Sequence, residues 1–212
     1  MIRIDEKLRK DGASLNYLLH LPDRIESSQP LPLLLYLHGV SQRGNDLELL
    51  RLDFLPQQLE KKSDIPFIVV TPQCPNQSSW DMETDFIIAL LDEIVAEYPV
   101  DHKRIYLTGI SMGGYGVWDL AIKYPQRFAA LAPMCGGGEP EKAEVLKNIP
   151  IWAFHGEKDD VIPLQETLNM VEAVKRHKGN VKLTIYPNAG HDLTETYADP
   201  LLYNWLLEQV SR

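Results

Sequence analysis

Three short stretches of this chain hold residue types that could carry out chemistry together. The first is Gly109-Ile110-Ser111-Met112-Gly113. It follows a short apolar run at 104–108 and precedes an apolar helical stretch, so it reads as strand, tight turn and helix. On such a turn a serine hydroxyl is lifted clear of its neighbours. Side chains two residues before and after it would collide, and glycine stands at both places. The helix that follows aims its first amides at the hydroxyl, ready for negative charge. Gly113, Gly114 and Gly116 each cost about 1 kcal/mol against alanine inside a helix, a cost that close packing would explain. The plain alternative is a glycine-rich turn with an incidental serine.

Serine is a poor nucleophile until a base takes its proton and an acid holds that base. The two remaining stretches offer both. His155-Gly156-Glu157-Lys158-Asp159-Asp160-Val161-Ile162-Pro163 follows the apolar run Ile151-Trp152-Ala153-Phe154. Pro187-Asn188-Ala189-Gly190-His191-Asp192 follows Val181-Lys182-Leu183-Thr184-Ile185. Each group sits just past the C-terminal end of a strand, where open α/β sheets build their sites. His191 is the candidate base. Asp159 is the candidate acid, with Asp160 beside it as the alternative, and Glu157 reads as solvated with Lys158. Of the other histidines, His20 lies in an early β segment, while His102 and His177 read as solvated at polar helix ends. His38 and His155 each end a buried strand and precede glycine, as structural hydrogen-bonders do. Their local spacing is not that of a zinc site, so neither metal nor cofactor is expected.

The elements that must position these groups are legible in outline. Leu33-Leu34-Leu35-Tyr36-Leu37, Phe67-Ile68-Val69-Val70, Ile105-Tyr106-Leu107 and the run at 151–154 are continuously apolar, as strands covered on both faces are. Residues 181–185 alternate instead, which suits a strand near an edge. Ile87, Leu90, Leu91, Ile94, Val95 and Tyr98 repeat at helical spacing, with Asp85, Asp92, Glu93 and Glu97 opposite. Leu164, Leu168, Val171 and Val174 do the same over 163–177, and Leu201, Leu202, Trp205 and Leu206 mark a terminal helix. Strand and helix in alternation give an α/β fold with a mostly parallel sheet. No internal repeat is visible, and 23–32 reads as a polar surface loop, so one domain over residues 1–212 is expected.

Composition bounds the partners. In 212 residues, 44% hydrophobic and 24% charged, there is ample apolar surface for a core without disulfides. With 21 basic and 30 acidic residues the net charge is −9, which repels phosphate backbones and anionic lipid. Nucleic acid and membrane are therefore not expected as partners. No apolar run spans a bilayer, and acids interrupt the N-terminus where a signal peptide needs an apolar run. A cytoplasmic setting is the expectation.

Taken together, Leu37-His38-Gly39-Val40, Thr71-Pro72-Gln73-Cys74-Pro75, the serine turn, His155-Gly156-x-x-Asp159 with Ile162-Pro163, and Gly190-His191 resemble the α/β-hydrolase superfamily of serine esterases. The likeness is to its small carboxylesterase and phospholipase-like branch, with dienelactone-hydrolase and polyester-depolymerase-like relatives. It implies helices on both faces of the sheet and no large lid domain. It implies a Ser111–His191–Asp159 triad, with the backbone N–H groups of Val40 and Met112 as oxyanion hole. The implied substrates are carboxylic esters; too few residues separate Pro133 from Ile151 for a sizeable amphipathic lid, so short, water-soluble ones are expected, with activity falling below about pH 6 as the histidine is protonated. Thioester or peptide hydrolysis on the same triad is the alternative, and a non-catalytic receptor or scaffold is the reading from another class. Ser41 and Gln42 depart from the glycine and glutamate the family often has, and Asp160 stands where proline is common. The family's strand order separates Cys74 from Cys135 by two strands, about 14 Å, too far for a disulfide. Trp80 reads equally as a pocket wall or as core packing. Oligomeric state is left open by the sequence.

Overall fold

The computed structural model of the chain describes residues 2–10, 13–23, 29–61 and 66–211. Met1, and residues 24–28 of the loop expected over 23–32, lie outside them. One sheet holds eight strands: β1 (Ile2–Lys10), β2 (Ala13–Leu21), β3 (Leu31–Leu37), β4 (Ile68–Pro72), β5 (Val100–Ile110), β6 (Ala130–Met134), β7 (Ile151–Gly156) and β8 (Val181–Tyr186). Their order is β1-β2-β4-β3-β5-β6-β7-β8. The pairs β1–β2 and β2–β4 are antiparallel, and every later pair is parallel. Leu31 and Pro32, expected in the loop, open β3 instead.

Consecutive residues of a central strand point to opposite faces, and both faces are covered. Leu33, Leu35 and Leu37 of β3 pack into one core layer, while Leu34 and Tyr36 enter the other. The first layer is closed by helices α3 (Thr84–Glu97), α4 (Met112–Lys123) and α5 (Leu164–Arg176), through residues such as Ile87, Val117 and Val171. The second is closed by α2 (Phe54–Lys61), α6 (Thr194–Ala198) and α7 (Pro200–Leu207), through Leu55, Tyr197 and Leu206. A one-turn helix α1 (Glu48–Arg51) precedes α2. Local periodicity does not reveal α1, α2 or α6, each no more than eight residues long.

The alternating strand is at the edge as expected, for β8 ends the sheet. Cys74 and Cys135 are free and buried, and β3 and β5 separate the strands they follow. The reading of His102 needs correction: it is exposed on β5, not at a helix end. Its strand begins at Val100 because that residue pairs with Leu31, and a register shift between Leu31 and Leu33 accommodates the polar residues between. Likewise α5 buries Thr167, Met170, Val171, Ala173 and Val174, leaving Leu164 and Leu168 only half-buried. Among the described residues, no helix is long and apolar enough to cross a membrane.

Candidate active site

Ser111 sits between β5 and α4 with φ 57° and ψ −119°, a backbone state that residues with a side chain rarely adopt. Its surroundings impose that state. A Cβ on Gly113 would lie 1.8 Å from the Leu37 carbonyl oxygen, so α4 starts in contact with the end of β3. A Cβ on Gly109 would meet the Gly113 and Leu37 oxygens at 2.6 Å, which closes the turn from the other side. The Ser111 N–H donates to Met134 O at 3.0 Å, and the Tyr115 N–H to Ser111 O at 3.1 Å. Gly114 and Gly116 meet their own close neighbours, Met134 O and the Trp80 side chain. All three helical glycines therefore stand where a methyl group has no room.

The loop after β3 is fixed against this turn by His38. Its Nε2 accepts the Cys74 N–H at 2.9 Å, so the hydrogen is on Nδ1, which donates to Gly39 O at 2.5 Å. Burial holds this ring neutral, with its pKa lowered to about 4. Trp80 packs edge-on to the ring and donates Nε1–H to His38 O at 2.9 Å. Beyond Gly39, Val40–Gln42 form a single 3-10 turn. A Cβ on Gly39 would lie 3.7 Å from the Ser111 Cβ, so the loop is in contact with the serine.

His191 and Asp159 meet across the C-terminal ends of β8 and β7. His191 Nδ1 donates to Asp159 Oδ2 at 2.7 Å, which leaves Nε2 as the ring nitrogen without a hydrogen. Asp159 Oδ1 accepts the Val161 and Ile162 amides, each at 2.9 Å. Burial alone would raise the carboxyl's pKa, but the His191 hydrogen bond and the two amides outweigh it and hold it below the ordinary value. The Asp159 side chain is wholly buried, whereas Asp160 is exposed on the same loop. Glu157 is exposed, and Lys158 donates to Asn188 Oδ1 rather than pairing with it.

A cavity of about 610 Å³ opens in front of the serine. Val40, Met112 and Ser111 share its wall with Trp80, Tyr115, Val161 and Ile162. Trp80 is thus both buried core and cavity wall. Asp81, Asp119 and Glu139 also line the cavity, and among the described residues no lysine or arginine does. Val40 and Val161 are exposed, giving the mouth an apolar rim.

Contacts beyond the sequence reading surround Asp159. His155, at the end of β7, is fully buried with Nε2 3.3 Å from Asp159 Oδ2. Its Nδ1 meets Thr167 Oγ1 at 2.8 Å, and Thr167 donates to Gly136 O at 2.7 Å. The Cys135 thiol donates to His191 O at 3.7 Å, from a residue whose φ is 46°. Thr167 left one signal in the sequence, a hydroxyl residue on the apolar face of α5. Cys135, His155 and Asp159 bring ligand-type atoms within 4.8 Å of one another, a cluster that local spacing did not reveal. It does not fit a metal: Asp159 is already held by His191 and two amides, and burial pushes the Cys135 thiol well up, against the thiolate a metal needs.

Known proteins share this architecture. Residues 77–205 match the dienelactone hydrolase family. The bifunctional acetylxylan esterase/xylanase of Neocallimastix patriciarum is 30% identical over 77% of this chain and 24% of its own length. A probable feruloyl esterase C of Aspergillus terreus is 24% identical over 82% of this chain and 66% of its own. The crystal structure of a thermostable esterase superposes with a TM-score of 0.88 at 30% identity, covering 98% of this chain and 63% of that one. The chain therefore spans less than two thirds of each of these proteins. The fold is that of the α/β-hydrolases, without a large lid among the described residues. With the family match running from before α3 to within α7, this chain belongs to the dienelactone hydrolase family.

Proposed function

We propose that this chain is a serine hydrolase of carboxylic esters, acting through Ser111, His191 and Asp159. The observation that carries this reading is a strained serine at the start of a helix, facing a cavity, in a fold whose neighbouring strand ends hold a histidine on a buried carboxylate. In the reaction, Ser111 Oγ forms a bond to the ester carbonyl carbon while His191 Nε2 takes the hydroxyl proton. The N–H groups of Val40 and Met112 receive the charge that develops on the carbonyl oxygen. As the bond to the alcohol oxygen breaks, His191 returns the proton to that oxygen and the alcohol leaves. Water then adds to the acyl-serine by the same route, with His191 as base, and releases the acid. Asp159 stays ionised throughout and stabilises the imidazolium.

The substrate class is a small, neutral, water-soluble ester. The apolar wall of Trp80, Tyr115, Val161 and Ile162 suits an acyl or aryl group, while the lining carboxylates oppose an anionic one. The names of the relatives add acetyl and feruloyl esters to the substrates worth testing. A cytoplasmic setting belongs to the same proposal, supported by two buried cysteines that carry no disulfide.

The test is reaction with a fluorophosphonate probe, followed by peptide mapping and assay on p-nitrophenyl esters from acetate upward. Ser111 should carry the phosphonyl group, and Ser111→Ala should abolish both labelling and hydrolysis. An unlabelled, inactive wild type would favour the scaffold reading instead.

A further inference from the structure

We infer that His155 is a positioning residue for Asp159, a second and wholly buried histidine that shares carboxylate oxygen Oδ2 with His191. The inference rests on the esterase reading above and concerns a residue which that mechanism does not use.

The hydrogen-bond geometry fixes the ring's role. His155 Nε2 lies 3.0 Å from Ile162 O and 3.3 Å from Asp159 Oδ2. Both neighbours are acceptors, so Nε2 carries a hydrogen; it donates to Ile162 O, whose turn holds Asp159, and lies beside Oδ2 as a close electrostatic neighbour. The opposite edge packs on α5, where Nδ1 accepts from Thr167 Oγ1 at 2.8 Å in competition with Gly136 O, 2.7 Å from the same hydroxyl. Held at Nε2 by Ile162 O and packed against Thr167, the fully buried ring is kept beside the carboxylate.

Each carboxylate oxygen therefore has two neighbours. Oδ1 takes the Val161 and Ile162 amides, and Oδ2 takes His191 and His155. His191 donates to Oδ2, while the His155 N–H dipole beside it draws on the same negative charge and ties the Asp159 turn, through Ile162 O, to a rigid strand end. The titratable groups facing the pair are His191 from the loop after β8 and Cys135 from the end of β6, with Asp192 acting on Cys135 by its charge. From α5 the facing group is Thr167, which does not titrate.

Removing the His155 donor should have two effects that a merely structural histidine would not produce. The carboxylate loses one of its fixed contacts, which lowers kcat. Its Oδ2 also turns its whole charge on His191, which moves the acid limb of kcat/KM to higher pH.

The experiment compares His155→Leu, His155→Gln and Thr167→Val with wild type on a soluble p-nitrophenyl ester. Rates are expressed per serine titrated by fluorophosphonate, so misfolded protein is not counted. His155→Leu should lose about tenfold in kcat with KM within about twofold, and its acid limb should rise by about half a pH unit. His155→Gln, which keeps an amide donor, should recover most of the loss. Thr167→Val, which only loosens the ring, should lower kcat about threefold and raise the acid limb by about a quarter of a pH unit. An unchanged kcat or an unmoved acid limb in His155→Leu would overturn the inference. If that variant does not fold, Thr167→Val replaces it, and an unchanged kcat or acid limb there overturns the inference equally. Should the wild type neither hydrolyse esters nor take the probe, the esterase reading fails with it. Should wild type be active and the variants match it, only the role of His155 fails.

Discussion

Trp80 donates its indole N–H to the carbonyl oxygen of His38, 2.9 Å away and 42 residues earlier in the chain. That bond ties the loop after β4 to the loop after β3, and the second of these leads into Val40 beside the serine. A buried side chain that fills the core also sets the path of the backbone proposed to hold the oxyanion.

Trp80→Phe should keep the packing of a large ring but leave the buried His38 carbonyl without its donor, at about 1–3 kcal/mol. For a protein of this size that lowers Tm by roughly 2–4 °C per kcal/mol. Ester hydrolysis should drop about tenfold in kcat, because a shifted Val40 amide no longer meets the oxyanion squarely. Full activity in the variant would separate the Trp80 bond from the proposed oxyanion hole.

The neighbouring aspartates should behave very differently. Asp159→Asn removes the partner that selects the His191 tautomer, a change that costs about 10⁴ in kcat in the best-studied triad. Asp160 is exposed on the same loop, so Asp160→Asn should stay within about tenfold of wild type. Steady-state kinetics on one soluble ester decides the matter, and the reverse ranking would move the acid by one position.

Acid should destabilise the fold through buried histidines. Burial lowers the pKa of both His20 and His38 to about 4, so both stay neutral in the fold while the unfolded chain takes up protons near the ordinary value of 6.5. Their stabilising contribution is therefore complete above that value and is lost as pH falls through about 4. Neither ring nitrogen of His20 meets a partner among the described residues, so His20→Leu removes the penalty without breaking a bond. The loss of stability between pH 7 and pH 5 should shrink by roughly 2 kcal/mol in this variant, read by urea unfolding at both pH values.

Soluble esters should be better substrates than emulsified lipid. Between β6 and β7 the chain makes only the short 3-10 segment Pro140–Leu146, with no amphipathic helix to open at an interface. A p-nitrophenyl butyrate rate well above the rate on emulsified long-chain triglyceride is expected. Activation at the lipid surface would count against it.

Chelation should leave the rate unchanged, because serine and histidine supply nucleophile and base between them. An EDTA-treated enzyme that loses activity and regains it with added metal would refute the triad assignment.

By itself the sequence determined what neighbouring residues decide. The glycines two places either side of Ser111 specify the turn, and unbroken apolar runs specify strands covered on both faces. Alternation at 181–185 specifies an edge strand. Short elements escaped it: α1 and α2 carry little periodicity in four and eight residues, with Pro56 inside the second. His102 was misplaced because β5 is extended by pairing with Leu31, a partner some seventy residues away in sequence. The site divides in the same way. Candidate residues were legible from strand ends and glycines, but only the family likeness put Asp159 ahead of Asp160, since loop direction decides which carboxylate turns inward. Only the tertiary structure brought His191 onto Asp159, set His155 behind the same oxygen, and supplied Thr167 from α5 and Cys135 from β6. These contacts join groups 4 to 56 residues apart. Hydrogen bonds of that kind depend on how β6, β7, β8 and α5 pack, and no local pattern of residue types records that packing.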